Sequence, residues 1–227
     1  MSNLLKADLH VHTLYSEDSI SPPEKIVQHC LKVGINCLAI TDHNEISGAF
    51  EVKRLAPFKV IIGEEVLTNQ GEIIGYFLKE RIPPRLSPEE TVARIKAQGG
   101  LVCIPHPYDP LRRGTRIRPQ ALKEILPHVD LIEVFNSKSM LLRDSARALE
   151  LAQKHGLPGT AGSDAHIIQE IGSTYMEMPE FNDAEQFLQS ARQGKVFGHR
   201  TSLWMHFYIG IRNRLVKQFQ KRTGDHV

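Results

Sequence analysis

Residues 4–19 read LLKADLHVHTLYSEDS, an apolar run of strand length that ends in acids and imidazoles. Alternate side chains of an extended chain share a side, so His10 and His12 point the same way. The pattern recurs along the sequence. Ile35–Ile40 runs into Thr41-Asp42-His43-Asn44, and Val60–Ile62 into Gly63-Glu64-Glu65. Leu101–Ile104 precedes Pro105-His106-Pro107, Leu131–Phe135 contains Glu133, and Leu157–Ala161 precedes Gly162-Ser163-Asp164-Ala165-His166.

Helix signals lie between these runs. Ser21-Pro22-Pro23-Glu24 reads as an N-cap with proline in the first turn, opening a helix to about Lys32 that Gly34 stops. Ser87-Pro88-Glu89-Glu90 repeats the design, stopped by Gly99-Gly100. Met140–His155 and Asp183–Gln193 are amphipathic and end at Gly156 and Gly194. An extra strand pair, near Val66 and Ile73–Leu78, is expected to form a hairpin about Asn69-Gln70-Gly71. Strand–helix alternation predicts an α/β fold with a parallel sheet and right-handed crossovers, and the length accommodates roughly seven such units. The acid and imidazole clusters fall at the carboxyl ends of six different strands. A single crevice of an open sheet would not gather them, whereas a ring of strands would.

The chain has 227 residues, which fits one domain. Its 28 Lys+Arg nearly balance 26 Asp+Glu, so no global field calls for nucleic acid or an acidic membrane. No apolar run reaches spanning length, and the first residues have no signal-peptide core. Three cysteines without CxxC spacing suit reduced thiols, and a cytoplasmic location is expected. No GxGxxG, Walker or Gly-x-Ser-x-Gly motif is present, which excludes the corresponding nucleotide cradles and serine chemistry.

His10 and His12 form half of a tetrahedral metal site, and Asp164 and His166 repeat the spacing. The Glu65 carboxylate follows a glycine and has two oxygens with which to bridge two metals. Nitrogen and oxygen donors without thiolate suit Zn, Mn or Fe. Burying so many ionisable groups together without a cation would cost several kcal/mol apiece.

The segments DLHVHTLYSEDS (8–19), AITDHN (39–44), GEEV (63–66), IPHPY (104–108), IEVFN (132–136) and AGSDAH (161–166) together resemble the PHP (polymerase and histidinol phosphatase) family, within it the small stand-alone phosphoesterases. The resemblance runs in order up to about residue 200. It implies a distorted seven-stranded TIM-like (β/α) barrel over residues 1–200, carrying two or three divalent metals. One metal would take His10, His12, Glu65 and Asp164. A second would share Glu65 and add His106 and Glu133. A third would take Asp18, His43 and His166. Asp8 and Asp42 would orient the imidazoles from behind.

The implied reaction is phosphoester hydrolysis of a small phosphorylated molecule, a nucleotide or related monoester or diester, with no obligatory nucleic acid partner. Hydroxide held by metal would be the nucleophile. Asp164, His43 and His166 are candidates to protonate the leaving group. Leu111–Pro119 follows His106 and carries Arg112, Arg113, Arg116 and Arg118, whose forked guanidinium groups suit phosphate; Lys138 is a further candidate. The alternatives are a histidinol-phosphate phosphatase, a metal-dependent C–N hydrolase, and a non-catalytic module of the same fold. Beyond the barrel, residues 201–227 read as a basic amphipathic helix, with Trp204, Phe207, Tyr208, Ile211, Leu215 and Phe219 at helical spacing. It is expected to pack on the barrel, with a homo-oligomer contact or a peripheral membrane contact as alternatives.

Overall fold

The computed structural model describes residues 4–139 and 141–199. The strands are β1 (Leu5–Val11), β2 (Cys37–Ile40), β3 (Lys59–Thr68), β4 (Gly71–Tyr76), β5 (Leu101–Ile104), β6 (Leu131–Asn136), β7 (Gly159–Gly162), β8 (Thr174–Met178) and β9 (Lys195–Gly198). The helices are α1 (Pro23–Val33), α2 (Ser47–Leu55), α3 (Pro88–Ala97), α4 (Pro119–Ile125), α5 (Leu142–Lys154) and α6 (Ala184–Gln193). The expected helix over 201–227 lies outside the described residues.

The strands form one sheet in the order β7-β6-β5-β4-β3-β2-β1-β8-β9. Its first seven members curl until β1 meets the end of β7. His12 N donates to Ala165 O at 2.9 Å, and Asp164 N donates to His10 O at 2.7 Å. The lower half of β1 pairs instead with β8, antiparallel, through Leu5–Ala7. The expected seven-stranded barrel is therefore present, nearly closed, with β8 and β9 as a flap.

Two details differ from expectation. The stretches around Val60–Ile62 and Val66 are one long strand, β3, and β4 is an integral barrel member, antiparallel to both β3 and β5. The hairpin is there, but it builds the wall. β8 escaped notice because Thr174–Met178 alternates half-buried and buried residues without a cluster at its end. Helix starts also vary in mechanism. Ser87 forms the full capping box with Glu90, and Asp183 caps α6 through Gln186 N. Ser21 does not cap α1: Pro22 holds the N-cap position, and no side-chain bond replaces it.

Alternation sorts the apolar residues into two layers. Leu5, Ala7, Leu9, Cys37, Ala39, Ile61, Ile74, Tyr76 and Cys103 pack together, as do their neighbours Leu38, Ile40, Val60, Ile62, Ile73 and Val102 with the helices. The first set fills the barrel and the second seats the helical ring. Leu9 belongs to the inner layer, yet Val11, two residues on, belongs to the outer one. A register shift between Asp8 and Val11 accounts for this. The bulge re-aims the strand, so His10 and His12 turn inward above Leu9. On β3, Ile61 is in the inner layer while Val60, Ile62 and Val66 are in the outer one, which sends Glu65 inward and Glu64 outward.

Closure needs a residue without a side chain at the seam. A Cβ on Gly162 would lie 2.4 Å from His10 Cβ and 2.6 Å from His10 N. Gly162→Ala should therefore lower stability by about 3 kcal/mol, the upper end of overpacking costs. Calorimetric Tm checks this, and an unchanged Tm would mean that the β1–β7 seam is not closed as described.

Candidate metal centre

The cluster sits where β1, β2, β3, β5 and β7 end. His10, His12, Asp42, Glu65, His106 and Asp164 are buried, and His43 keeps a side-chain exposure of 21 % at the mouth. One potential ligand atom from each of His10, His12 and Glu65 lies within 4.8 Å of the others; the same holds for His12, His43 and His166, and for His43, Glu65 and Glu72. Three overlapping sets share His12, His43 and Glu65.

Glu65 is central. Its Oε2 lies 3.3 Å from His10 Nε2, 3.5 Å from His12 Nε2 and 3.2 Å from His43 Nδ1, while its Oε1 lies 3.0 Å from His106 Nε2. Asp164 Oδ1 is 3.4 Å from His12 Nε2, and Asp18 Oδ2 is 3.0 Å from His166 Nε2 and 3.5 Å from His43 Nε2. The last trio is the third expected ligand set, with Asp18 on the open side at 56 % exposure.

The hydrogen bonds behind the imidazoles decide what faces the middle. Ser16 Oγ donates to Asp42 Oδ1 at 2.9 Å, so towards His12 Nδ1, 3.1 Å away, it is an acceptor. His10 Nδ1 faces Glu133 Oε1 at 2.9 Å. With both Nδ1 atoms protonated, the Nε2 lone pairs of His10 and His12 meet each other at 3.1 Å and face two carboxylates. Lone pairs and carboxylates converging in a buried space repel one another unless a cation lies among them. Asp164 Oδ1 is buried without a hydrogen-bond partner, as is Glu72 Oε2. Such orphaned acceptors, with hard oxygen and imidazole donors, fit divalent Zn, Mn or Fe.

The titration behaviour states the same demand. Burial opposes charge on His43, but Glu65 and Asp18 beside it raise its pKa to about 9. Burial likewise opposes charge on His10, yet Asp164, Glu65 and Glu133 hold its pKa well above the usual imidazole value. Burial and the neighbouring His166 and His43 push His12 well below it. Against the cost of burial, His10 and His43 keep Glu65 ionised, and Arg112 and Lys138 keep Asp164 ionised. The carboxylates recruit whatever positive charge is near.

Backbone strain gathers here too. His106 has φ 32° and Asp164 φ 53°, values unusual for residues with a Cβ, and each aims its side chain into the cluster just after its strand.

Several expected residues sit differently from the sequence reading. Both oxygens of Glu133 are engaged away from the shared middle: Oε1 with His10 Nδ1, Oε2 with His106 N at 2.9 Å and Asn136 Nδ2 at 3.1 Å. Glu133 thus holds His10 in place from behind. Among the described residues the Asp8 carboxylate bonds no imidazole; it accepts from Ser163 N and Gly172 N, both at 2.9 Å, and so anchors the loop that carries Asp164 and His166. Burial raises the pKa of Asp8 to about 6. Asp42 does act on an imidazole, through Ser16. Of the four arginines only Arg112 reaches the cluster, bonding Asp164 Oδ2. Arg116 turns to Asp109 O, and Arg113 and Arg118 are exposed. Lys138 Nζ lies 2.6 Å from His166 Nδ1 and 3.8 Å from Asp164 Oδ1.

Glu72 is the residue the sequence reading missed. It pairs across the β3–β4 ladder with Leu67, and its carboxylate lies 3.8 Å from His43 Nδ1 and 3.7 Å from His106 Nε2. Burial, with the Glu65 charge adding, raises its pKa to about 7. The signal was an acid in phase with Ile74 of the inner layer, in an otherwise apolar strand.

Comparison with known proteins matches residues 8–99 to the PHP domain and residues 143–196 to the PHP-associated region. An uncharacterized protein of Methanocaldococcus jannaschii is 38 % identical over 180 residues, covering 78 % of this chain and 72 % of its own. A second from the same organism is 45 % identical over 148 residues, covering 59 % and 82 %. The chain belongs to the PHP family. Among solved structures, a two-domain protein from Bacteroides vulgatus containing a predicted PHP-like metal-dependent phosphoesterase superposes with TM-score 0.69 at 19 % identity, covering 87 % of this chain and 66 % of that one. The lesion-specific endonuclease EndoQ of Pyrococcus furiosus superposes with TM-score 0.63 at 17 % identity, covering 86 % and 58 %. These likenesses show the PHP barrel. The His and carboxylate cluster at its mouth is able to bind metal, as the metal dependence of PHP hydrolases requires.

Because Glu133 orients His10 without reaching the middle, Glu133→Ala should weaken metal binding by about 10–100-fold, the usual effect of removing such a partner. Calorimetric titration of chelator-treated protein with Zn²⁺ or Mn²⁺ checks this. Complete loss of one bound ion would instead make Glu133 a ligand.

Proposed function

We propose that this PHP protein hydrolyses phosphoesters of a small molecule, with a nucleotide or related monoester or diester as substrate class. One observation carries the reading: Arg112 and Lys138 flank Asp164, a buried carboxylate of the imidazole cluster. Cations beside a metal-binding carboxylate are what a phosphoryl group needs as charge builds on its non-bridging oxygens.

His10, His12, Glu65 and Asp164 would hold one metal, Glu65 and His106 a second with Glu72 beside it, and Asp18, His43 and His166 a third. Bound there, divalent ions would activate water and neutralise phosphoryl oxygens. The remaining work falls to the chain itself. Ser16 and Glu133 fix the ring planes of His12 and His10. Arg112 swings between Asp164 and a phosphate, offering its planar fork to two oxygens. Lys138 supplies a point charge on the other flank. Among the candidates to protonate the leaving oxygen, Asp164 is held ionised by Arg112, whereas His43, at the mouth, retains solvent access. Residues 1–200 would form the catalytic barrel and 201–227 an accessory helix, in a cytoplasmic setting.

The test is a comparison of kcat/KM on AMP, a nucleoside 3′,5′-bisphosphate, histidinol phosphate and a simple amide, using protein loaded with Zn²⁺, Mn²⁺ or Fe²⁺. The nucleotides are expected to lead. Histidinol phosphate leading, amide cleavage alone, or no turnover in fully loaded protein would each overturn the proposal in favour of its named alternatives. Arg112→Ala should lower kcat/KM by about 10–100-fold, consistent with loss of a charge-assisted bidentate contact of about 1.5–3 kcal/mol, while leaving metal content unchanged.

A further inference from the structure

A cavity lies at the opposite end of the barrel from the metal centre. Its volume is about 680 Å³, within the usual range for small-molecule sites. It opens where β3 begins, β4 ends and the chain passes from β8 to α6. Phe58, Phe77 and Phe181 line its walls, and Lys53, Lys59 and Lys79 stand at its rim.

Three observations mark it as more than a surface dent. First, no carboxylate lies within ion-pair distance of any of these lysines among the described residues, although ion pairs are formed elsewhere by Lys96, Lys138 and Arg112. Second, Lys59 is half-buried and held: its Nζ donates to Phe181 O at 2.6 Å and lies 4.9 Å from the Phe181 ring centroid. That bond uses one of three N–H donors and leaves the others for a ligand. Third, Phe77 has φ 59°, a left-handed conformation that a bulky residue adopts only when its surroundings impose it. The imposing groups are visible. Lys79 N and Glu80 N both donate to Gln98 Oε1, at 2.8 and 2.9 Å, pinning the turn that presents the ring.

We infer that this cavity is a binding site for a small anion with an aromatic or apolar body, its carboxylate, sulfonate or phosphate received by Lys59 with Lys53 and Lys79, its body lying against Phe58 and Phe77. The chain's own tail is a poor occupant. Residues 200–227 carry Arg200, Arg212, Arg214, Lys217, Lys221 and Arg222 against the single acid Asp225, so they share the sign of the rim. The one acid lining the cavity, Asp183, is turned to its helix, where Oδ1 accepts from Gln186 N. The site is also mechanically tied to the metal centre. β3 carries both Lys59, at its start, and Glu65, about 20 Å further along, and β4 runs from Glu72 towards the turn at Phe77. A ligand here would bear on the two strands that position both carboxylates.

Fluorescence titration of the full chain with anilinonaphthalene sulfonate, an aromatic anion, tests the inference. One binding site is expected, weakened about tenfold in Lys53→Gln/Lys79→Gln, two exposed positions whose change should leave Tm and phosphoester hydrolysis as they were. The neutral analogue phenylnaphthylamine should bind both proteins alike. No binding, equal affinity in both proteins, or loss of the signal in Arg112→Ala, which would move the anion to the metal mouth, overturns it. Tighter binding after removal of residues 200–227 would also overturn it, by making the tail the occupant.

Discussion

Unsatisfied negative charge at the mouth of the barrel is the constraint on which the site depends. Glu65 and Asp164 are fully buried among imidazole rings. Desolvated carboxylates of this kind are stable only when paired. The chain supplies partial answers through Arg112, Lys138 and the positive charge drawn onto His10 and His43. None of these fills the space between His10, His12 and Glu65. A divalent cation does so in one step, and that is the sense in which the donor set defines its ligand.

The fold serves this constraint through small departures from regularity. A bulge in β1 converts one alternating strand into two faces, apolar below and imidazole above. The glycine at 162 lets the last parallel strand close against His10. Left-handed turns at His106 and Asp164 bring side chains inward where a regular strand would send them along the wall. Each device is local, and each spends stability on geometry at the carboxyl rim, where barrel enzymes build their sites. The amino end of the same barrel is packed by Leu5, Ile61, Tyr76 and the Phe181–Phe187 pair, which contact edge to face at 5.0 Å.

Much of this was legible in the sequence. Strand ends were marked by the abrupt change from apolar runs to acids and imidazoles, and Ser87 announced its helix through capping chemistry that acts over three residues. His10, His12, Asp18, His43, Glu65, His106, Asp164 and His166 are legible because each stands in a short recognisable segment. What was not legible depends on long-range pairing. Glu72 reaches the site because β4 folds back antiparallel on β3 and joins the barrel wall, and the hairpin signal at Asn69-Gln70-Gly71 did not by itself tell that the pair builds the wall. The resemblance alone implied Glu133 as a ligand, and the direction of its carboxylate is set by bonds to His10, His106 and Asn136. Arg112 could not be separated from Arg113, Arg116 and Arg118, since loop conformation decides which guanidinium turns inward.

Anomalous diffraction from crystals grown with Mn²⁺ or Zn²⁺ tests the central claim most directly. The account predicts a strong peak within bonding distance of His10 Nε2, His12 Nε2, Glu65 and Asp164, with Arg112 withdrawn from the Asp164 oxygen that faces the ion. Ions bound only at surface carboxylates, with the His10–His12–Glu65 space still closed by direct contacts, would contradict it.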